Sequence, residues 1–238
     1  MDGAEATITH LERGFDKGGG LPGCRVILSD GSSWFILLSH ADALSLYPGR
    51  AVSPELREEL RLGTLRREIS LKSLDLLARR DHSRLELRRK LEKRYLAPDP
   101  DSGSPGPDAG YIRDSIGQAL DALTERGYLN DLRFAENWVA SRLRKRPEGR
   151  GALEAGLRAR GISRQAAGEI LDRVFDTPAE QEALARAAEK LARRGGITRE
   201  KLISRLVARG FAYGRAREWA EAAGIPSGRE AGEEEYGD

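Results

Sequence analysis

Apolar residues recur every three or four positions along most of the chain, a spacing that predicts a series of amphipathic helices. We predict helices at 40–47, 54–67, 71–80, 84–94, 111–126, 131–146, 150–160, 164–175, 178–194, 199–209 and 213–223. Three starts carry N-capping signals, namely Ser53 before Pro54, Ser83 with Glu86, and Thr177 with Glu180. The pattern therefore favours a mainly α protein.

The first 69 residues follow another pattern. Residues 24–39, "CRVILSDGSSWFILLS", place two β-branched or aromatic runs around Asp30-Gly31, a dipeptide that favours a hairpin turn. Together with "ATITHLERG" before them, they predict a small antiparallel β-sheet accompanied by short helices. Cys24 falls in a predicted strand, where we expect a buried, inert thiol.

Three segments of the helical region superimpose: "ELRRKLEKRYL" (86–96), "ALEAGLRARGI" (152–162) and "KLISRLVARGF" (201–211). Two columns contain only leucine, four residues apart: Leu87 and Leu91, Leu153 and Leu157, Leu202 and Leu206. Each pair forms an apolar stripe on one face of a helix. The segments therefore predict a repeated helix with a buried leucine face.

The columns after the leucines predict how each helix ends. Gly161 and Gly210 suit the left-handed residue of a Schellman cap, in which the following Ile162 or Phe211 contacts the second leucine. In the first segment Tyr95 stands at this position, so we expect a different ending there. The arginine just before, Arg94, Arg160 or Arg209, is favoured by the helix dipole without any ligand.

A predicted helix precedes and another follows each repeated segment, so the chain divides into three tandem three-helix repeats. The predicted boundaries are 1–69 for the sheet and short helices, 70–130 for repeat 1 with a flexible insertion at 97–110, 131–176 for repeat 2, 177–223 for repeat 3, and 224–238 for an acidic disordered tail. Such an array presents an elongated, curved surface. That architecture suits binding better than catalysis.

Charge is unevenly distributed along the chain. The formal net charge is +2, but it amounts to −2 over residues 1–69, +8 over 70–222 and −4 over 223–238. A basic central region can attract a polyanion or an acidic protein surface. It is equally typical of a solvated helical face, and both interpretations remain open.

The residue inventory does not point to an enzyme. The three histidines, His10, His40 and His82, are scattered, and we predict no catalytic residue, metal site or cofactor site. His82, next to a helix start, is expected to be exposed. Trp138, Trp219 and Tyr128 are predicted to be core residues.

The location of the protein is also predicted from the sequence. The N-terminus carries acidic residues in place of a basic signal region, and the longest apolar run is too short to span a bilayer. We therefore expect a cytoplasmic protein.

Several of these motifs together resemble the RecX family of recombinase regulators. The resemblance rests on Leu76-Leu77, Arg80, Ser83, Glu86-Leu87, Leu91, "GYLNDLRFAENWVASR" (127–142), Gly149, Leu153, Leu157 and Gly161-Ile162. It implies a non-enzymatic bacterial protein of three three-helix repeats that lodges in the groove of the RecA–DNA filament. Such a protein mostly suppresses filament extension, ATP hydrolysis and strand exchange in DNA repair, recombination and the SOS response.

Basic residues outside the leucine columns are the candidates for contact with the filament or its DNA. They are Arg84, Arg88, Arg89, Lys90, Lys93, Arg142, Arg144, Lys145, Arg146 and Arg150. The expected partners are the RecA filament and the single-stranded DNA within or near it. We expect this protein to bind them as a monomer. An autonomous DNA- or RNA-binding module is the alternative, and a helical scaffold for another partner is a third possibility.

Overall fold

The N-terminal sheet has three antiparallel strands, β1 (Ile8–Phe15), β2 (Pro22–Leu28) and β3 (Ser33–Leu37), in the order β1-β2-β3. A computed structural model describes residues 6–15, 21–97, 107–193 and 196–228. The predicted turn at Asp30-Gly31 is confirmed, since Gly31 has φ +80° and the N–H of Leu28 donates to the carbonyl of Ser32 (2.9 Å). The Asp30 carboxylate also pairs with Arg57 (2.7 Å), which joins the hairpin to the second helix.

Ten helices follow in the described residues, so the predicted mainly α class with a small antiparallel sheet is confirmed. They are α1 (Leu38–Ala43), α2 (Pro54–Arg79), α3 (Arg84–Tyr95), α4 (Ala109–Glu125), α5 (Asp131–Lys145), α6 (Arg150–Arg158), α7 (Arg164–Val174), α8 (Thr177–Ala192), α9 (Arg199–Val207) and α10 (Tyr213–Ala222). Helix α1 begins before the predicted helix at 40–47. It also ends earlier, because the backbone turns at Ser45 with φ +50°. Most of the predicted insertion at 97–110 lies outside the described residues.

The predicted helices at 54–67 and 71–80 are in fact one helix, α2, which crosses the predicted domain boundary at residue 70. The polar residues near this point do not interrupt it, because their hydroxyls bond to carbonyls one turn earlier. Ser70 Oγ donates to the carbonyl of Arg66 (2.9 Å) and Ser73 Oγ to that of Ile69 (2.7 Å).

The chain forms two compact units, residues 1–129 and 130–238. In the first unit, one core lies between the sheet, α1 and the start of α2, and a second core lies among α2, α3 and α4. In the second unit, α5–α7 and α8–α10 share a single core. The helices thus pack in three groups of three, and the leucine pairs of α3, α6 and α9 are fully buried.

Schellman caps close α6 and α9 as predicted. Gly161 and Gly210 have φ of +88° and +85°, and the N–H groups of Ile162 and Phe211 donate to the carbonyls of Leu157 and Leu206, both at 3.2 Å. Helix α3 lacks this cap, so the different ending expected at Tyr95 is confirmed, and the helix continues through Tyr95, one residue beyond its predicted end. Residues 224–228, assigned to the tail, are ordered against α9, where the carbonyl of Pro226 accepts from Arg199 N–H (2.9 Å), while 229–238 lie outside the described residues.

Two sequence predictions about helix starts are wrong. The N-cap of α8 is Asp176, whose carboxylate accepts from the N–H of Ala179 (3.0 Å), so Thr177 belongs to the helix instead of capping it. His82 is buried, with 2% of its surface exposed, where an exposed residue was expected. Its Nδ1 lies 3.4 Å from Glu86 Oε2, on the first turn of α3, so the helix start covers the ring.

The second unit is joined internally by a close backbone contact between its two helical groups. The N–H groups of Gly149 and Gly151, at the start of α6, donate to the carbonyls of Arg209 (2.9 Å) and Gly210 (3.1 Å), in the turn that ends α9. Gly149 has no side chain that could cap α6. The turn that ends α9 therefore supplies acceptors for N–H groups at the start of α6 that would otherwise be unpaired. A Cβ at Gly149 would overlap the backbone of Gly210 and Phe211.

We therefore expect Gly149→Ala to lower the free energy of unfolding of the second unit by about 1–3 kcal/mol, the usual cost of overpacking. Chemical denaturation followed by circular dichroism measures this value. The control is Gly168→Ala in α7, where a Cβ meets nothing within 4 Å. Replacement of this helical glycine should raise the free energy of unfolding by as much as about 1 kcal/mol. Equal stability of the two variants would contradict the contact.

Buried His82 and half-buried His40 predict a pH dependence of stability. Burial is the main cause that lowers the pKa of both His82 and His40 below the ordinary value of 6.5. The unfolded chain therefore binds more protons just below pH 6.5, and the free energy of unfolding should fall as the pH drops from 7 to 5.5. We expect His82→Gln to reduce this fall, measured by denaturation across that range, with the surface substitution His10→Gln as the control. A fall of the same size in His82→Gln and the wild-type protein would exclude His82 as its source.

Candidate functional site

The basic candidate residues lie in two places, one in each unit. Helix α3 exposes a group that we call the α3 basic face: Arg88, Arg89, Lys90 and Lys93. The last turn of α5 and the residue after it expose a second group, the α5 basic end: Arg144, Lys145 and Arg146. The other three candidates, Arg84, Arg142 and Arg150, are half-buried.

The α3 basic face follows from the way α3 is built. The Ser83 hydroxyl caps the helix by accepting from the N–H of Glu86 (3.1 Å), and Leu87 and Leu91 face the core with no exposed surface. Positions off this leucine stripe turn to solvent because side chains three or four residues apart share a helix face. Lys93 in addition lies in the last turn, where the helix dipole favours a cation.

Arg84, at the start of α3, is held within the protein. Its guanidinium pairs with the Asp121 carboxylate on α4 at 2.6 Å and lies 3.4 Å from Thr124 Oγ1. This pair joins two helices of the same group. Among the described residues, no ion pair engages Arg88, Lys90 or Lys93, so their charges face solvent.

Three candidates of the second unit also pair within the protein. Arg142 and Arg146 lie 3.7 Å and 3.6 Å from the same Glu148 carboxylate oxygen, and Arg150 pairs with Asp172 on α7 at 2.5 Å. In the part of the chain that the structure describes, the side chains of Arg144 and Lys145 form no ion pair. The candidate surface of this unit therefore narrows to these two residues.

Trp138 lies between two arginines instead of on an open binding surface. The guanidinium carbons of Arg142 and Arg160 lie 5.2 Å and 4.7 Å from its ring centre, and a Cβ at Gly156 would overlap its ring. Arg160 also donates to the carbonyl of Gly156 (2.8 Å), which fits its predicted role at the helix end. The ring packs against the core, as predicted.

The predictions for the two other aromatic residues have different outcomes. Trp219 is half-buried against the core of the second unit, whereas Tyr128 is 55% exposed, so its assignment to the core was wrong. Gly127 takes the left-handed conformation that ends α4, with φ +72°, and the N–H of Tyr128 completes the cap by donating to the carbonyl of Leu123. The backbone of this residue serves the cap while its side chain stays outside. Tyr213 is also exposed, a feature that the apolar pattern did not reveal.

The remaining candidates for chemistry are metal ligands and the thiol of Cys24. No group of three or more His, Cys, Asp or Glu side chains there could hold a metal ion. Cys24 is fully buried, as predicted, and burial raises the pKa of its thiol. None of the described helices is long and apolar enough to cross a membrane.

Comparisons with known proteins agree on one family. The sequence model for the second three-helix domain of RecX matches residues 130–171. The regulatory protein RecX of Chlorobaculum tepidum is 33% identical over 150 residues, which cover 61% of this chain and 82% of that protein. RecX of Chromohalobacter salexigens is 39% identical over 100 residues, which cover 42% of this chain and only 55% of the length of that relative.

Solved structures agree on the fold. The crystal structure of a regulatory protein RecX matches with a TM-score of 0.67 and 18% identity over 88% of this chain and 96% of that protein. RecX from Lactobacillus salivarius matches with a TM-score of 0.53 and 20% identity over 66% of this chain and 96% of the other. Taken with the sequence relatives and the three groups of three helices, these likenesses lead to one conclusion: the chain belongs to the RecX family of regulatory proteins.

Proposed function

We propose that this protein binds the RecA recombinase filament on DNA and modulates it, mostly by inhibiting filament extension, ATP hydrolysis and strand exchange. The protein acts by binding, as a monomer, without a cofactor. Its site of action is the cytoplasm, where a bacterial recombinase meets DNA. Family membership supports the regulatory role, and the exposed cations support the mode of contact.

The observation that carries the proposal is the α3 basic face. Arg88, Lys90 and Lys93 share one short helix with no ion pair to hold them in the described structure, while the leucines opposite are fully buried. Cations in this state are available to the phosphates of the filament's DNA or to acidic side chains of the recombinase. Arg144 and Lys145 offer the same chemistry in the second unit.

The ion-paired candidates play a different part in this proposal. Arg84 and Arg150 each connect two helices of their group through short pairs with Asp121 and Asp172. A contact with the filament would first have to break these pairs. We therefore assign them to the architecture of the repeats and leave the binding to the solvent-facing cations.

The alternative, an autonomous nucleic-acid-binding module, would share the basic residues but needs a surface that holds DNA alone. Single-strand binders commonly stack bases on exposed aromatic rings. Trp138, the aromatic residue nearest in sequence to the α5 basic end, is half-buried between arginines. No open ring therefore lies next to these cations in the sequence, whereas the exposed Tyr128 and Tyr213 lie farther away along the chain. This arrangement weakens the case for base stacking at the α5 basic end.

Neutralising each basic group tests the proposal with helix propensity preserved, because glutamine is a good helix former. We expect Lys90→Gln/Lys93→Gln and Arg144→Gln/Lys145→Gln each to raise the concentration that half-inhibits DNA-dependent ATP hydrolysis by RecA. The expected factor is roughly two- to thirtyfold, because each double variant loses two surface charge contacts worth about 0.2–1 kcal/mol each. The quadruple variant should show a larger loss than either double variant.

The matched control is Arg25→Gln/Arg113→Gln, which removes two exposed cations from β2 and α4 with the same change of charge. It should inhibit like the wild-type protein, and circular dichroism should show unchanged helicity for all variants. An equal loss of inhibition in the control would show that the effect depends on net charge alone. Full inhibition by the quadruple variant would place the contact elsewhere, and no inhibition by the wild-type protein would refute the proposed function.

A further inference from the structure

A cavity of about 590 Å³ lies inside the first unit, between the N-terminal sheet with α1 on one side and the helices α2 and α4 on the other. None of its lining residues belongs to α3 or α5. It is therefore separate from the basic residues assigned to the filament. Its volume falls within the range of about 300–1,000 Å³ that is usual for small-molecule sites.

The walls of the cavity are mostly apolar. Leucine and alanine side chains come from three directions, with Leu37 and Leu38 at the end of β3 and the start of α1, Leu21 before β2, and Ala119 and Leu123 on α4. Such a lining stabilises an apolar body by removing it from water. Binding of an apolar body alone does not explain the charged residues that also line the cavity.

Those charged groups are mainly cations. Arg66 on α2 and Arg126 after α4 both line the cavity, whereas Asp42, its one lining carboxylate, already pairs with Arg13 at 3.0 Å. Arg126 is exposed and has no ion pair within the described residues. The cavity therefore carries excess positive charge next to apolar walls.

One buried donor at the cavity lacks an acceptor in the described structure. Arg66 Nε is buried without a hydrogen bond, while its guanidinium carbon lies 5.3 Å from the centre of the Tyr111 ring. A buried donor without an acceptor is costly, so an acceptor from a ligand would stabilise this arrangement.

From this combination we propose that the cavity binds a small organic anion. Its carboxylate or phosphate group accepts hydrogen bonds from Arg66 and Arg126, whose planar guanidinium groups suit such oxygens. The apolar body of the ligand lies against Leu38 and Leu123. This site is a second function of the chain, independent of the contact with the recombinase.

Fluorescence titration with 8-anilinonaphthalene-1-sulfonate, an apolar aromatic anion, tests the site in the full-length protein. We expect saturable binding of one probe molecule, displaced by octanoate or octyl phosphate and not by octylamine. The relative strength of octanoate and octyl phosphate identifies the preferred acidic group. Arg126→Gln and Arg66→Gln should each raise the dissociation constant about tenfold, the effect of losing one charge-assisted hydrogen bond.

Arg113→Gln is the control, because Arg113 is exposed on α4 but does not line the cavity. It should leave the dissociation constant within twofold of the wild-type value. Arg126→Gln decides the outcome if Arg66→Gln disturbs folding. The proposal is overturned by binding that does not saturate, by displacement with octylamine as effective as with octanoate, or by unchanged affinity in Arg126→Gln.

Discussion

Burial of one leucine pair on the middle helix of each three-helix group is the constraint on which this structure depends. The pairs, Leu87 with Leu91, Leu153 with Leu157, and Leu202 with Leu206, have no exposed surface. Burial of each leucine is worth about 1.5–3 kcal/mol, so these residues set the face that each helix turns inward. On α3 the outward face then carries Arg88, Lys90 and Lys93. The constraint that builds the core thus also presents the cations on which the proposed function rests.

In the second unit, the second leucine of each pair also takes part in the cap that ends its helix, and one of these caps contacts the neighbouring group. The carbonyl of Leu206 accepts from Phe211 in the cap of α9, and the glycine of that cap, Gly210, lies against the start of α6. One turn therefore closes a helix and supplies acceptors to its neighbour. Because both contacts use backbone atoms at close approach, Gly149 and Gly210 cannot gain side chains without displacement of the backbone.

Local patterns allowed much of the fold to be predicted. The leucine columns, the caps at Gly161 and Gly210, the turn at Asp30-Gly31 and the different ending of α3 are confirmed, since each depends on residues within a few positions of one another. The sequence analysis predicted two helices where α2 is continuous, and the hydroxyls of Ser70 and Ser73 donate to carbonyls of this same helix. His82 was misplaced because its burial depends on packing around the helix start, which local periodicity does not reveal.

The candidate site could be predicted only in part, for the same reason. Sequence identified the cations outside the leucine columns, but the acids that engage Arg84 and Arg150, namely Asp121 and Asp172, lie 37 and 22 residues away. Tertiary packing brings these acids to the arginines. Sequence alone therefore could not distinguish the ion-paired arginines from the cations that face solvent. The cavity of the first unit likewise combines residues from four segments that no local motif connects.

Selective binding to the filament is the central claim, and an equilibrium competition tests it most directly. Labelled protein would be bound to RecA filaments assembled on single-stranded DNA with a slowly hydrolysed ATP analogue, then challenged with unlabelled filaments or with naked single-stranded DNA at several salt concentrations. We predict that filaments displace the label at much lower nucleotide concentration than naked DNA. Equal competition by naked DNA, with the same dependence on salt, would contradict the account and identify an autonomous DNA-binding protein.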